Sequence, residues 1–258
     1  MRRRQLFELN DLTWVPPSIR ESIVETLSRT LSWGSMLSGL VAPFQAFLRE
    51  AETDRVLDLC CGAGGPAAIL TQEFSRAGLS PPHFLLADLH PQASAWERVK
   101  RAAPGNIDYV PESVDATRIP PELTRGRARA IINAFHHFPP ELAQRIVDDA
   151  IAQRAPLFIS EAFDRNPVRF ASFAPVGIPA VLANPLLTPE PSFGKVAVTW
   201  LSPLLLAASV WDGVVSTLRI YEESDLRRMV AGSAYRWSYG RYAYKPWGRG
   251  YYFYGVPS

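Results

Sequence analysis

The chain has 258 residues, a length that suits one compact α/β unit with an added segment rather than a string of domains. Apolar residues make up 47% and charged residues 20%, a globular composition that excludes extensive disorder. The formal charge is only +2 and the basic residues are scattered except for Arg2-Arg3-Arg4 and the set Arg125, Arg127 and Arg129, so no basic stripe asks for nucleic acid.

Near the start, Arg2, Arg3 and Arg4 read as a solvated tail, with contact to an anionic lipid surface as the alternative. Glu8 and Asp11 interrupt the apolar run that a secretory signal needs. Cys60 and Cys61 are adjacent and cannot form an ordinary structural staple. These features point to a cytoplasmic chain, with peripheral membrane contact as the alternative.

Residues 17–50 read as helix, because Ile19, Ile23, Leu27 and Leu31, then Leu37, Leu40, Val41, Phe44 and Phe47, recur at helical spacing. They make residues 1–50 an expected N-terminal helical cap. From Asp54 onward, short apolar strands are expected at Arg55–Leu59, Phe84–Ala87, Ile107–Val110, Ala130–Ala134 and Leu157–Ser160. Helices at Pro66–Ala77, Pro91–Ala102 and Pro139–Gln153 fall between them, and another is expected at Glu222–Ala231. Alternation of this kind implies right-handed crossovers. Tyr235–Tyr244 and Gly250–Val256 read as a terminal antiparallel hairpin. Cross-strand packing accounts for its tyrosines and Trp247 better than a platform for stacking bases does.

The fold class expected is therefore α/β: a doubly wound, mostly parallel seven-stranded sheet with helices on both faces, spanning 51–258. An apolar insertion follows the fifth strand at about 165–215. Within it, Phe170–Trp211 carries only Glu190 and Lys195 as charges, while prolines at 175, 179, 185 and 203 interrupt any membrane span. A buried cover over an apolar ligand is the favoured reading, with interfacial membrane contact beside it. Gly213, after Trp211 and Asp212, is expected to turn the chain back.

The chemistry begins at Val56-Leu57-Asp58-Leu59-Cys60-Cys61-Gly62-Ala63-Gly64-Gly65-Pro66. A glycine-rich turn between a buried strand and a helix lets backbone approach a ligand in the crevice at the strand's carboxyl end. Taken alone, such a turn fits nucleotide-binding dehydrogenases as well. The run resembles the first motif of class I S-adenosylmethionine-dependent methyltransferases: hydrophobic residues, an acid, then Gly-x-Gly-x-Gly. Cys60 stands where that motif has its first glycine, a replacement compatible with the turn only if this position does not need a positive φ. The strand ending Ala87-Asp88 and the pair Asp115-Ala116 match the family's next two motifs in order, and the full dehydrogenase glycine register is absent.

The resemblance implies S-adenosylmethionine as cofactor and S-adenosylhomocysteine as product. It implies that Asp58 holds the methionine ammonium and that Cys60, Gly62 and Gly64 pass close to the methionine moiety. By the same mapping Asp88, beside Leu89, takes the ribose hydroxyls, and Asp115 and Ala116 read the adenine. Asn133 and Phe135, at the end of the fourth strand, complete the cofactor-facing set. Nucleobase enzymes of this kind carry Asn/Asp-Pro-Pro-aromatic there, which Asn133-Ala134-Phe135-His136 does not match. Metal-dependent catechol-type enzymes place an acid there and Asp-Asn after the next strand, whereas this chain has Asn133 and Glu161-Ala162, so no metal is expected.

His136 and His137 are candidate general bases, since a neutral imidazole accepts a proton near pH 7. A histidine satisfied in the crevice wall is the alternative, and orientation alone can suffice for methyl transfer. Glu161 either orients the acceptor or a histidine, or caps its turn. Trp14 and His137 are candidates for touching the acceptor, and Trp14 packed over the helical cap is the other reading. The expected activity is methyl transfer to oxygen, nitrogen or carbon of an apolar small molecule of secondary-metabolite, quinone or lipid type. The alternatives are a repurposed, non-catalytic binding or membrane-associated module and a peptide or protein methyltransferase.

Overall fold

The computed structural model describes residues 3–258, so Arg2 lies outside the described residues. In chain order the elements are α1 (Pro17–Trp33), α2 (Val41–Glu50), β1 (Arg55–Leu59), α3 (Gly65–Arg76), β2 (His83–Ala87), α4 (Ala93–Ala102) and β3 (Ile107–Tyr109). Then come α5 (Pro121–Thr124), β4 (Ala128–Ile132), α6 (Pro140–Ala152) and β5 (Leu157–Glu161). The remainder is α7 (Ala174–Leu182), α8 (Asn184–Leu187), α9 (Phe193–Val196), α10 (Leu204–Arg219), α11 (Glu223–Met229), β6 (Tyr235–Tyr244) and β7 (Gly248–Pro257).

These elements group into two compact units. One comprises the described residues through Met36, Phe163–Ile220 and Ala243–Arg249; the other comprises Leu37–Ala162, Tyr221–Tyr242 and Gly250–Ser258. The residues 17–50 are two helices rather than one, falling in different units: Gly34 ends α1, and Ser35 turns the chain with a φ of 45°.

The sheet runs β3-β2-β1-β4-β5-β7-β6, with β1 to β5 and most of β6 and β7 in the second unit. β1 to β5 are parallel, while β7 runs antiparallel to β5, with Leu157 opposite Gly255 and Glu161 opposite Tyr251. Order reverses between β1 and β4. Right-handed crossovers then put α3 and α4 on one face and α6 on the other, leaving a crevice at the carboxyl ends of β1 and β4. Phe44 of α2 anchors the core, with ring centroids 4.8 Å from Phe158, 6.1 Å from Phe84 and 6.3 Å from Phe74. In the hairpin, Trp237 stacks on Phe253 at 4.9 Å, and a Cβ on Gly255 would lie 2.4 Å from the Trp237 ring. The hairpin tyrosines Tyr242, Tyr251 and Tyr254 are buried in this packing.

The fourth strand differs from the sequence expectation of Ala130–Ala134: it starts at Ala128 and stops at Ile132. It stops because Asn133 has a φ of 57°, which an extended strand cannot contain. It starts early because Arg129, which reads as a surface charge, is wholly buried, donating to Asp149 at 2.7 Å and to the Thr124 hydroxyl at 2.9 Å, with its Nε left unpartnered among the described residues.

In the first unit, Ile23, Val181, Leu205 and Ala208 form a small core between α1, α7 and α10. The lone cation of the apolar segment, Lys195, is buried and tied to Glu25 at 2.9 Å, Glu21 at 3.1 Å and the Thr188 hydroxyl at 2.9 Å. Gly213 does not turn the chain, as expected, but lies inside α10, where a Cβ would fall 1.9 Å from the Phe170 ring; the glycine is there for close packing. Its neighbour Asp212 accepts the backbone N–H groups of Leu9 and Asn10 at 2.7 and 3.0 Å. Arg3 and Arg4 are not a free tail: the Arg3 guanidinium donates to the Arg219 carbonyl at 2.6 Å, and the Arg4 amide to the Leu218 carbonyl at 2.9 Å. Among the described residues no single helix is long and apolar enough to cross a membrane, although Phe193–Leu201 and Leu204–Arg219 form an apolar pair bent by 81°.

Replacing Arg129 with alanine strands Asp149 and opens the strand interior. We expect about 3–5 kcal/mol less stability in urea unfolding, and a change below about 1 kcal/mol would show the pair to be dispensable.

Candidate functional site

The turn after β1 is built from backbone that coils to the left. Cys60, Gly62 and Gly64 have φ values of 56°, 52° and 81°. Cys60 therefore does occupy a positive-φ position, contrary to the condition set on it from the sequence. Glycine fits this position because only a residue without Cβ adopts such a φ without strain. Gly64, the residue before α3, combines its left-handed φ with close quarters: a Cβ there would lie 2.9 Å from the end of the Leu86 side chain. Gly62 faces open space, with no atom within 4 Å of where its Cβ would stand. Its carbonyl accepts the Trp96 indole N–H at 2.7 Å and its N–H donates to Asp88 at 2.9 Å, so both of its polar groups are fixed from α4 and from the end of β2. The wholly buried Trp96 was not identified from the sequence, where it reads as a core residue on an amphipathic helix.

Three acids converge on this turn. Asp58, Asp88 and Asp115 all bear electrostatically on the Cys60 thiol, and together with burial they hold it protonated. Asp88 also accepts the His90 amide at 2.9 Å through its second oxygen. Asp115 is exposed and accepts both the amide and the hydroxyl of Thr117 at 2.8 Å, which shapes its own loop. Ala116 beside it is buried, and Leu89 beside Asp88 is exposed. Asp58 is 1% exposed, and its Oδ2 has no hydrogen-bond partner among the described residues. Burial, reinforced by Asp88, pushes the Asp58 carboxyl up to about 8. A buried carboxylate with an unused oxygen is a receptor for a cation.

The ends of β4 and β5 hold the second cluster. The Glu161 carboxylate, fully buried, receives the His136 amide on Oε1 and the His136 Nδ1 on Oε2, both at 2.9 Å. Of the readings open for Glu161, the one realised is support of a histidine. Burial pushes Glu161 up to about 8, opposed by the amide of His136 and by His137. A carboxylate at Nδ1 fixes the proton there and leaves Nε2 as the basic nitrogen. His137 packs against His136 with ring centroids 4.2 Å apart. Asn133 donates its own amide to Ser160 at 2.8 Å, and its Oδ1 accepts the Ala162 amide at 2.7 Å. Phe135 is buried against Phe138 and Tyr221, part of the wall. The Tyr221 hydroxyl donates to the Phe138 carbonyl at 2.7 Å and steadies the same segment. Trp14 belongs to the other unit and is 74% exposed.

The sequence matches no family model, and no curated protein matches it. Solved structures do resemble it. The methyltransferase domain of bacterial CtHen1 is 12% identical, over 86% of this chain and 99% of that one, with a TM-score of 0.50. NcsB1, an O-methyltransferase from neocarzinostatin biosynthesis solved with S-adenosylmethionine and 2-hydroxy-5-methyl naphthoic acid, is 14% identical over 94% and 59% of the two chains, with a TM-score of 0.51. The CMeT domain of the citrinin polyketide synthase is 10% identical over 98% and 60%, with a TM-score of 0.56. The chain thus spans less than two thirds of each of the latter two proteins. The fold is that of class I methyltransferases.

Two outcomes follow from the turn. Cys60→Gly relieves a left-handed cysteine, and after the entropy that glycine gains in the unfolded chain we expect about 1 kcal/mol of added stability; an equal loss in thermal melting would contradict this. Asp58 and Glu161 both hold folded pKa values above their unfolded values near 4, so the folded state binds the extra protons between about 4 and 8. Stability is therefore fullest below pH 4 as far as these two groups act, and declines as pH rises to about 8. Asp58→Asn should flatten that decline in a series of melts, and an unchanged slope would clear Asp58 of the effect.

Proposed function

We propose that this chain binds S-adenosylmethionine at the turn after β1 and transfers its methyl group to an apolar small molecule, releasing S-adenosylhomocysteine. The observation that carries the reading is the partnerless oxygen of buried Asp58, on the strand whose left-handed turn also gathers Asp88 and Asp115. The residues fit the cofactor: a cationic amino group satisfies Asp58, the bare backbone at Gly62 admits close approach, and Asp88 has lone pairs to spare for a ribose diol. Asp115 and Ala116 are assigned to the adenine, with Leu89, Asn133 and Phe135 assigned beside them. When bound, the cofactor supplies a methyl group made electrophilic by its sulfonium.

The protein's own part is to orient and to remove a proton. In this reading His136 is the base: Glu161 holds its Nδ1–H, so Nε2 accepts the proton that the acceptor loses. His137 is assigned to contact with the acceptor. An apolar acceptor is supported by the composition of Phe170–Trp211 and by the naphthoic acid bound to NcsB1. The free thiols of Cys60 and Cys61 suit a reducing, cytoplasmic setting.

Calorimetry with S-adenosylhomocysteine tests the cofactor half. Binding at pH 7 should release up to one proton as an ammonium drives Asp58 to ionise, and Asp58→Asn should weaken affinity at least about tenfold. No binding at millimolar ligand would overturn the reading. For the chemical half, His136→Gln should lower kcat about 10²–10⁴-fold with cofactor affinity intact. The wild-type rate should rise with pH towards a plateau above about 8, where the buried Glu161–His136 pair has shed its extra proton; a rate independent of pH would rule out this base.

A further inference from the structure

The tip of the terminal hairpin departs from the packing that the sequence predicts for its aromatic residues. Trp247 is 56% exposed, and Lys245, Pro246 and Arg249 around it are exposed as well. Among the described residues no side-chain hydrogen bond, ion pair or ring contact engages Lys245, Trp247 or Arg249. The tip is nevertheless firmly held. Tyr244 and Gly248 within it are buried, a Cβ on Gly248 would lie 1.9 Å from the Tyr244 ring, and that ring meets Phe173 edge-on with centroids 6.0 Å apart. Phe173 in turn stacks on Phe170 at 5.1 Å, and all of these residues belong to the first unit. Asp164, the acid that bears on Tyr244, is already paired with Arg169 at 2.5 Å. A fixed turn thus presents a large apolar ring between two cations that nothing in the chain neutralises.

We propose that this tip docks on an anionic lipid surface, with the Trp247 ring seated at the headgroup level and Lys245 and Arg249 against the lipid phosphates. The proposal goes beyond methyl transfer and does not rest on it. Tryptophan suits the place because its ring is apolar while its indole N–H still reaches a polar group, so it settles at the boundary between hydrocarbon and headgroups. Charge decides which surface is chosen. From Tyr235 to Ser258 the chain carries Arg236, Arg241, Lys245 and Arg249 and no acid, so this end of the molecule complements negative charge. Each cation brought to an anionic bilayer is worth roughly a fivefold gain in partitioning, and the ring adds an apolar contribution to the electrostatic one. The tip Lys245-Pro246-Trp247-Gly248-Arg249 holds no amide or hydroxyl side chain with which base edges or a peptide are read. That favours a lipid surface, which asks only for charge and an apolar anchor, over a nucleic acid or an acidic protein.

The test is co-sedimentation of the full chain with vesicles made either of phosphatidylcholine alone or of equal parts phosphatidylcholine and phosphatidylglycerol. Wild type should partition to the anionic vesicles at least about tenfold more strongly than to the neutral ones, and added salt should erase the difference. Replacing both cations, Lys245→Gln with Arg249→Gln, should cut partitioning to the anionic vesicles about twentyfold. Trp247→Ala should cut it about tenfold. All three side chains are exposed, so the thermal midpoints of these variants should match wild type. Lipids brominated near the headgroup should quench more tryptophan emission in wild type than in Trp247→Phe. Equal partitioning to both vesicles, sedimentation with neither, or variants that sediment like wild type overturn the proposal, as does quenching unchanged in Trp247→Phe. Binding of duplex DNA, or self-association, that appears in place of vesicle binding and is lost in the same variants also overturns it, by identifying another occupant of the tip.

Discussion

The left-handed backbone between β1 and α3 is the constraint on which the rest of the site depends. Three of five successive residues, Cys60, Gly62 and Gly64, have positive φ, so the chain reverses tightly enough for α3 to start beside the strand it has just left. Such a turn is poorly populated by itself and must be held from outside. Trp96 takes the Gly62 carbonyl and Asp88 the Gly62 amide, which couples the position of β2's terminal acid to the shape of the β1 turn. The acid that the turn orders is therefore also one of the acids that orders the turn.

Buried polar groups lie along the same sheet. Near the start of β4, Arg129 donates to Asp149 and Thr124, while its Nε keeps no partner among the described residues. At the strand ends the accounting is deliberately open: Asp58 keeps an unused acceptor and Asn133 an unused donor. Glu161 is occupied by one histidine, receiving both the amide and the ring Nδ1 of His136. In the function proposed above, the unpartnered atoms of Asp58 and Asn133, at the carboxyl ends of the neighbouring strands β1 and β4, are the ones a ligand completes.

The first unit solves a different problem. Its long stretch is almost without charge, so the few charged groups in and around it act as internal ties: Lys195 to two glutamates of α1, and Asp212 to the amides of Leu9 and Asn10. Many of its apolar side chains nevertheless stay exposed, among them Leu186, Phe193 and Leu201.

The alternation of apolar strands and helices was legible in the residues because a buried parallel strand must be apolar throughout and its crossover helix must alternate. Arg55–Leu59 was read to the residue, and the acids at the ends of β1 and β2 were read from their position after such runs. The amino acids did not reveal that Arg129 is a strand residue, since a buried cation becomes tolerable only when Asp149, twenty positions away, folds back against it. They did not reveal that Gly213 makes room for Phe170, because that need arises from packing across the unit. They left Glu161 open between the acceptor, a histidine and its own turn, and they did not reveal the role of Trp96. The glycine-rich turn itself shows both sides: its glycines pointed to a tight turn between strand and helix, whereas the left-handed φ of Cys60 was decided only in three dimensions. Local sequence sets which elements form; hydrogen bonds between residues far apart in the chain set which of their side chains are spent on holding the fold and which are left to act.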